Sequence, residues 1–176
     1  MLIYSEKIQK AIEFAIKVHC LDQLQMRKVK NIPYIAHPLC VGMILAKIGA
    51  TDNVIVAGIL HDSIEDSIAE KAVTKELLRE MFGNEVAEIV DDVTEQDKNL
   101  SWEERKSLAI NHISKMVQGS ALVKSADVLH NITETLNDHA LYGESIFKNF
   151  SRPKDVLFHR YKKVVDELKK ICQENN

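Results

Sequence analysis

Residues 54–60, Val-Ile-Val-Ala-Gly-Ile-Leu, put apolar groups or glycine on every side of a helix and no polar side chain anywhere. That surface must be removed from water on all sides. The run is far too short to be buried by crossing a bilayer, which takes about 20 apolar residues. Other parts of the same chain therefore have to surround it. With 176 residues and 45% hydrophobic content, the chain is long enough to do so within one domain, here read as residues 1–176.

The surrounding sequence supplies helices. Over residues 3–24, Ile8, Ala11, Ile12, Ala15, Ile16 and Val18 recur at helical spacing. Residues 25–36 are basic, then contain Pro33, and read as a loop. Pro38 suits the first turn of a helix running to about Ile48, and Asp52 can cap the apolar helix that follows. Thr74 to Phe82 predicts a short amphipathic helix closed by Gly83, with Asn84 able to cap the next one through about Val93. Ser101 and Glu104 form a capping-box pattern that opens a helix ending near Gly119. Residues 120–138 predict another helix. Pro153 starts the last, with Leu157, Tyr161, Val164, Val165, Leu168 and Cys172 on one stripe. No run alternates as a strand would, and there is no Gly-rich phosphate loop, repeat or low-complexity segment. The expectation is an all-α, single-domain helical bundle.

Other classes recede on composition. Formal net charge is −3, with 23 Lys and Arg against 26 Asp and Glu, so a nucleic-acid partner held by overall charge is not expected. A local basic site for a small phosphorylated ligand remains open. The N-terminus lacks a basic segment followed by an apolar core, so neither a signal peptide nor a membrane partner is expected. Cys20, Cys40 and Cys172 are odd in number, far apart and not in a CxxC pair. Reduced thiols in a cytoplasmic protein are the plain reading. Nothing in the sequence fixes an oligomeric state.

Directly after the apolar helix comes His61-Asp62-Ser63-Ile64-Glu65-Asp66. Ionisable groups at the end of a buried helix are costly unless paired or bound to a cation. If helical geometry persists, His61 and Glu65 lie one turn apart, as do Asp62 and Asp66. Two further segments deliver a polar group into apolar surroundings. His37 precedes Pro38 at the mouth of a helix whose body is apolar. Asp127 stands within residues 121–129, a mostly apolar run, with Asn131 one turn later. Taken singly, His37 reads first as a helix-start histidine bonded to backbone, and Asp127 equally well as a hydrogen-bonded buried carboxylate. Glu65 and Asp66 alone would be solvated residues near a helix end. His19, His112, His139 and His159 have no comparable setting and read as surface or ordinary core. Together the three segments change the reading. Imidazoles and carboxylates without thiolate suit a divalent first-row ion such as Mn, Fe, Co or Zn, and two His with two Asp leave positions open for water and substrate.

These residues resemble the HD-superfamily metal-dependent phosphohydrolases, and more narrowly the hydrolase domain of the RelA/SpoT family and the stand-alone small alarmone hydrolases. The likeness spans about residues 4–140. It rests on RKVKNIPYIAHP (27–38), GILHDSIEDS (58–67), FGNEVAEIVDDVT (82–94), WEERK (102–106) and LVKSADVLHNI (122–132). The resemblance implies an HD-type bundle and a metal, usually Mn²⁺, held by His37, His61, Asp62 and Asp127. It implies that Glu65 and Asp66 position or activate the attacking water and assist the leaving group. The implied reaction removes pyrophosphate from the 3′ position of guanosine tetra- or pentaphosphate, (p)ppGpp. Arg27 and Lys28 match the family's basic pair beside the nucleotide, and Asn131 the Asn that contacts the sugar region. Lys124, Arg105 and Lys106 are weaker phosphate-binding candidates. The sequence departs from the pattern at Asn31 and Ile32, at Val128, where Arg or Lys is common, and at residues 92–96, where a GVTKL-like segment reads DVTEQ. The metal and carboxylate motifs are intact; the nucleotide-facing ones have drifted.

Two other readings compete. One is a phosphohydrolase acting on another phosphorylated nucleotide or on a dinucleotide cofactor phosphate. The other is a nucleotide-binding regulatory module without turnover, against which the intact Glu65-Asp66 pair argues. A synthetase domain is not expected, because one helix separates residue 153 from the end at Asn176.

Overall fold

The computed structural model describes residues 4–95 and 99–174, the side chains of 172–174 excepted. Gln96 of the DVTEQ segment and the Cys172 side chain fall outside the described residues. The helices are α1 (Glu6–Ile16), α2 (Ala36–Lys47), α3 (Asp52–Leu60), α4 (Ser63–Asp66), α5 (Lys75–Phe82), α6 (Asn84–Val93), α7 (Trp102–Ile113), α8 (Gln118–Tyr142) and α9 (Lys154–Glu174). Among the described residues the single β-type pairing is an isolated antiparallel bridge between Met26 and Pro33. The chain is all-α, as expected.

The apolar run takes the place its pattern requires. Every residue from Val54 to Leu60 is buried, and α3 packs against α1, α2, α6 and α8. Two glycines set how closely α2 and α3 approach. A Cβ on Gly58 would stand 2.3 Å from Leu45 Cδ1, and one on Gly42 would stand 2.7 Å from Ile59 Cγ1. This contact carries His37 at the start of α2 towards His61 at the end of α3. A second, smaller core joins Ile113, Val128, Leu157, Tyr161, Val164 and Leu168, and holds α9 against α7 and α8.

Several boundaries differ from expectation. Thr51, one residue before Asp52, caps α3, its hydroxyl accepting from Val54 N. Gly83, with φ +89°, precedes α6, and Asn84 is the first helical residue. The helix opened by Ser101 does form the reciprocal capping box, but it stops at Ile113 rather than near Gly119. The chain turns at 114–117 and re-enters a helix at Gln118. Apolar spacing continues through this break because Met116 packs against both cores. The first helix also ends early as an α-helix. Residues Lys17–Asp22 widen into a π-helical turn that carries buried His19 and is capped by Gln23, and Leu24 follows at φ +51°.

Candidate metal and phosphohydrolase site

Three helices deliver side chains to one point. Pro38 sits in the first turn of α2, where its missing N–H costs no hydrogen bond, and this turn presents His37. The end of α3 presents His61, and Asp127 projects from the middle of α8. These residues are 1%, 5% and 8% exposed. One ligand atom from each lies within 4.8 Å of the others. His37 Nε2 is 3.3 Å from both His61 Nε2 and Asp127 Oδ1. Asp62 joins them, its Oδ2 being 3.0 Å from His61 Nε2 and 3.8 Å from His37 Nε2. The four residues expected together are thus brought together.

The hydrogen bonds behind the cluster orient it. His61 Nδ1 donates to Gly58 O at 2.8 Å, so the proton of the neutral ring is on Nδ1 and Nε2 keeps a lone pair. His37 Nδ1 meets His130 Nδ1 at 2.8 Å; with His37 donating, its Nε2 is likewise free. Two imidazole lone pairs facing each other beside two carboxylates fit a divalent cation. Without one, the cluster draws in a proton. Burial opposes charge on His61, yet the Asp62 carboxylate beside it and then Asp127 outweigh this, and its pKa is pushed up to about 9. Burial also works against ionised Asp62 and Asp127. The His61 and His37 rings hold Asp62 below the usual carboxylate range, and Lys124 with the same two rings does so for Asp127.

Glu65 and Asp66 stand in a different electrostatic setting. The helix does not run through: Asp62 has φ −94° and ψ −2°, and the chain restarts as α4 at Ser63. Burial raises the pKa of both residues, helped by Glu95 and Asp62 for Glu65 and by Asp62 for Asp66. One carboxylate pair is thereby biased to ionise and the other to hold a proton. Asp66 is also anchored. His19 Nδ1 contacts Gln25 Oε1 at 2.8 Å, and Gln25 Nε2 donates to Asp66 Oδ2 at 2.8 Å. Tyr34 OH donates to Asp62 Oδ2.

A cavity of about 330 Å³ opens beside the cluster, lined by Asp62, Glu65, Asp66 and Asp127 on one side. Lys28, Lys106 and Arg160 are among the cations that line it elsewhere. Arg27 and Asn131 face it within a network of their own. Arg27 Nη2 donates to Asn131 Oδ1 at 3.0 Å, Asn131 Nδ2 donates to Asp127 Oδ1 at 2.5 Å, and Arg27 is paired with Glu134. Lys28 Nζ lies 5.4 Å from the Phe150 ring centroid. Of the weaker candidates, Lys124 is 3.0 Å from Asp127 Oδ2, Lys106 lines the cavity paired with Glu95, and Arg105 does not line it. Asn31 and Ile32 are exposed outside the cavity, whereas Val128 lines it. Asp92 is bonded to His112 at 2.6 Å.

Sequence reasoning gave no role to His19, which it read as surface or ordinary core, or to His130, which lies inside the LVKSADVLHNI segment but whose part depends on a contact made in three dimensions. It also passed over Arg160, one charge on a helix face rich in charges.

The HD-domain profile matches residues 11–152, most of the chain. The chain belongs to the HD-domain family. As an HD-domain protein it is 38% identical over 129 residues to guanosine-3′,5′-bis(diphosphate) 3′-pyrophosphohydrolase MESH1 of Xenopus tropicalis, covering 72% of this chain and 68% of that one. It is 41% identical over 136 residues to a GTP pyrophosphokinase of Myxococcus xanthus, covering 71% of this chain but only 16% of that longer protein. A solved structure of a metazoan ortholog of SpoT, described as hydrolysing ppGpp, superposes with a TM-score of 0.75 at 32% identity. The match covers 94% of this chain and 86% of that one.

Proposed function

We propose that this HD-domain protein is a metal-dependent phosphohydrolase that removes the 3′-pyrophosphate of (p)ppGpp. The supporting observation is the convergence of His37, His61, Asp62 and Asp127 beside a cavity that also takes in Glu65 and Asp66. In this reading those four residues hold one Mn²⁺. When bound, a divalent cation supplies Lewis acidity, drawing charge from phosphate oxygens and acidifying water.

The chain's own residues do the rest. His130 and Gly58 O fix the two rings so that their Nε2 atoms face each other and would be free to hold the ion. Water attacks the phosphorus joined to the ribose 3′ oxygen, that P–O bond breaks, and GDP or GTP leaves with pyrophosphate as co-product. Of Glu65 and Asp66, one accepts the proton of the attacking water and the other protonates the departing 3′ oxygen. Burial raises the pKa of both, which favours proton uptake by this pair over the ionised pair at the cluster. Arg27, Lys28 and Asn131 hold the nucleotide, and Asn131 ties this grip to the metal ligand Asp127. Residues 1–176 act as one domain, in the cytoplasm, on a small nucleotide. Among the described residues no helix is long and apolar enough to cross a membrane.

The test is product analysis with Mn²⁺ and a panel of nucleotides. Release of pyrophosphate from ppGpp, abolished in Glu65→Ala, is the expected result. Orthophosphate released from a dinucleotide cofactor phosphate instead, with ppGpp untouched, would replace this reading with the other phosphohydrolase one.

A further inference from the structure

The cations that line the cavity differ in what they already hold. Arg27 is paired with Glu134, Lys106 with Glu95, Lys124 with Asp127, and Arg152 with Glu103. Arg160 and Lys28 have no carboxylate partner among the described residues. Arg160 comes from α9, a helix that contributes nothing to the His and Asp cluster. Its Nε is buried without a hydrogen-bond partner, although the guanidinium hydrogen-bonds the Tyr161 side chain and lies 5.0 Å from that ring's centroid. That Nε lacks compensation for its lost water, and no carboxylate balances the charge, until an anion arrives.

Its neighbours make the deficit larger. Lys28 is pulled below the ordinary lysine range by burial, then by Arg27, Arg160 and Lys106. Like charges gathered in a partly enclosed space cost energy until a polyanion neutralises them. The cavity is therefore polarised, with the carboxylate-rich metal cluster on α2–α4 and α8 and unspent positive charge on the 27–28 loop and α9. Val128, where relatives of this pattern commonly carry Arg or Lys, faces the same cavity. In this chain the cation stands on α9 instead.

We infer that Arg160, with Lys28 beside it, is the receptor for the substrate's non-reacting phosphate group and so sets specificity for nucleotides phosphorylated at two positions. This rests on the proposed reaction, in which the 3′-diphosphate lies at the metal cluster. The group received by Arg160 is then the 5′-diphosphate. A planar guanidinium can grip two phosphate oxygens at once, which a lysine in its place cannot.

The test measures binding and turnover separately. Calorimetry on the metal-loaded protein compares GDP with guanosine, and repeats GDP with Arg160→Gln and Arg160→Lys. Turnover compares ppGpp with guanosine 3′-diphosphate, which lacks the 5′ phosphates. Expected are GDP binding at least tenfold tighter than guanosine, and a roughly tenfold or greater loss of GDP affinity in R160Q, partly restored in R160K. R160Q should lower kcat/KM for ppGpp through KM and leave guanosine 3′-diphosphate nearly unchanged. Equal binding of GDP and guanosine by the unaltered protein would overturn the inference whether or not the variants fold. So would equal losses on both turnover substrates. If GDP binding depends on Arg160 but no 3′-pyrophosphate is cleaved, the inference stands and the proposed reaction falls.

Discussion

His130 governs where the proton sits on His37. Its Nδ1 lies 2.8 Å from His37 Nδ1, and burial followed by the nearby His37 ring lowers its own pKa, favouring the neutral acceptor form. Outer partners of this kind typically contribute 10–100-fold in metal affinity. His130→Ala should therefore weaken Mn²⁺ binding by about 10-fold or more with little change in melting temperature, as read by chelator competition. The motif residues were legible because HDxxED and the separated His37 and Asp127 stand out against apolar neighbours. The role of His130 was not, because the 122–132 segment that contains it does not reveal that its ring meets His37 until α2 lies against α8. A second residue-scale expectation concerns pH. In metal-free protein the His61 pKa is raised to about 9 from 6.5. A raised group stabilises the fold below its unfolded value and withdraws that stabilisation as pH climbs through the folded one. Metal-free protein should thus lose melting temperature between about pH 6.5 and 9. The metal takes the proton's place, so the gap between loaded and free protein should widen over the same interval in a melting series.

The elements place these residues through one close crossing. Gly42 and Gly58 let α2 and α3 approach until His37 and His61 touch. Gly58→Ala forces a methyl against Leu45 Cδ1 at 2.3 Å, and overpacking of this kind costs about 1–3 kcal/mol. Denaturant unfolding should register that loss, and Mn²⁺ affinity should fall with it, because separating α3 from α2 spreads the ligands. An unchanged affinity would mean that the cluster is set by α8 instead. Most elements were readable from local pattern. The all-round apolar α3 had to be central, and Ser101 with Glu104 opened α7 as expected. The misread stretches are those where tertiary contact overrides local preference. Met116 bridges two cores and breaks a periodic run into α7 and α8. The π-turn at residues 17–22 brings His19 behind Gln25 and Asp66 at the expense of a regular helix.

At the scale of the molecule, function depends on the space between two cores. The larger core fixes α2, α3 and α8 and hence the metal ligands; the smaller holds α9 as the opposite cavity wall. A net charge of −3 hides the local arrangement, in which carboxylates gather at the metal cluster while Lys28 and Arg160 line the cavity without a carboxylate partner among the described residues. The total gave no reason to expect a broad polyanion partner and was silent about a local one. Diffraction from crystals soaked in MnCl₂, recorded on both sides of the manganese absorption edge, tests the arrangement most directly. One anomalous peak should appear among His37, His61, Asp62 and Asp127, and it should vanish in His61→Ala. Manganese-dependent hydrolysis in the same crystals' protein, with no peak at those four residues, would contradict the account.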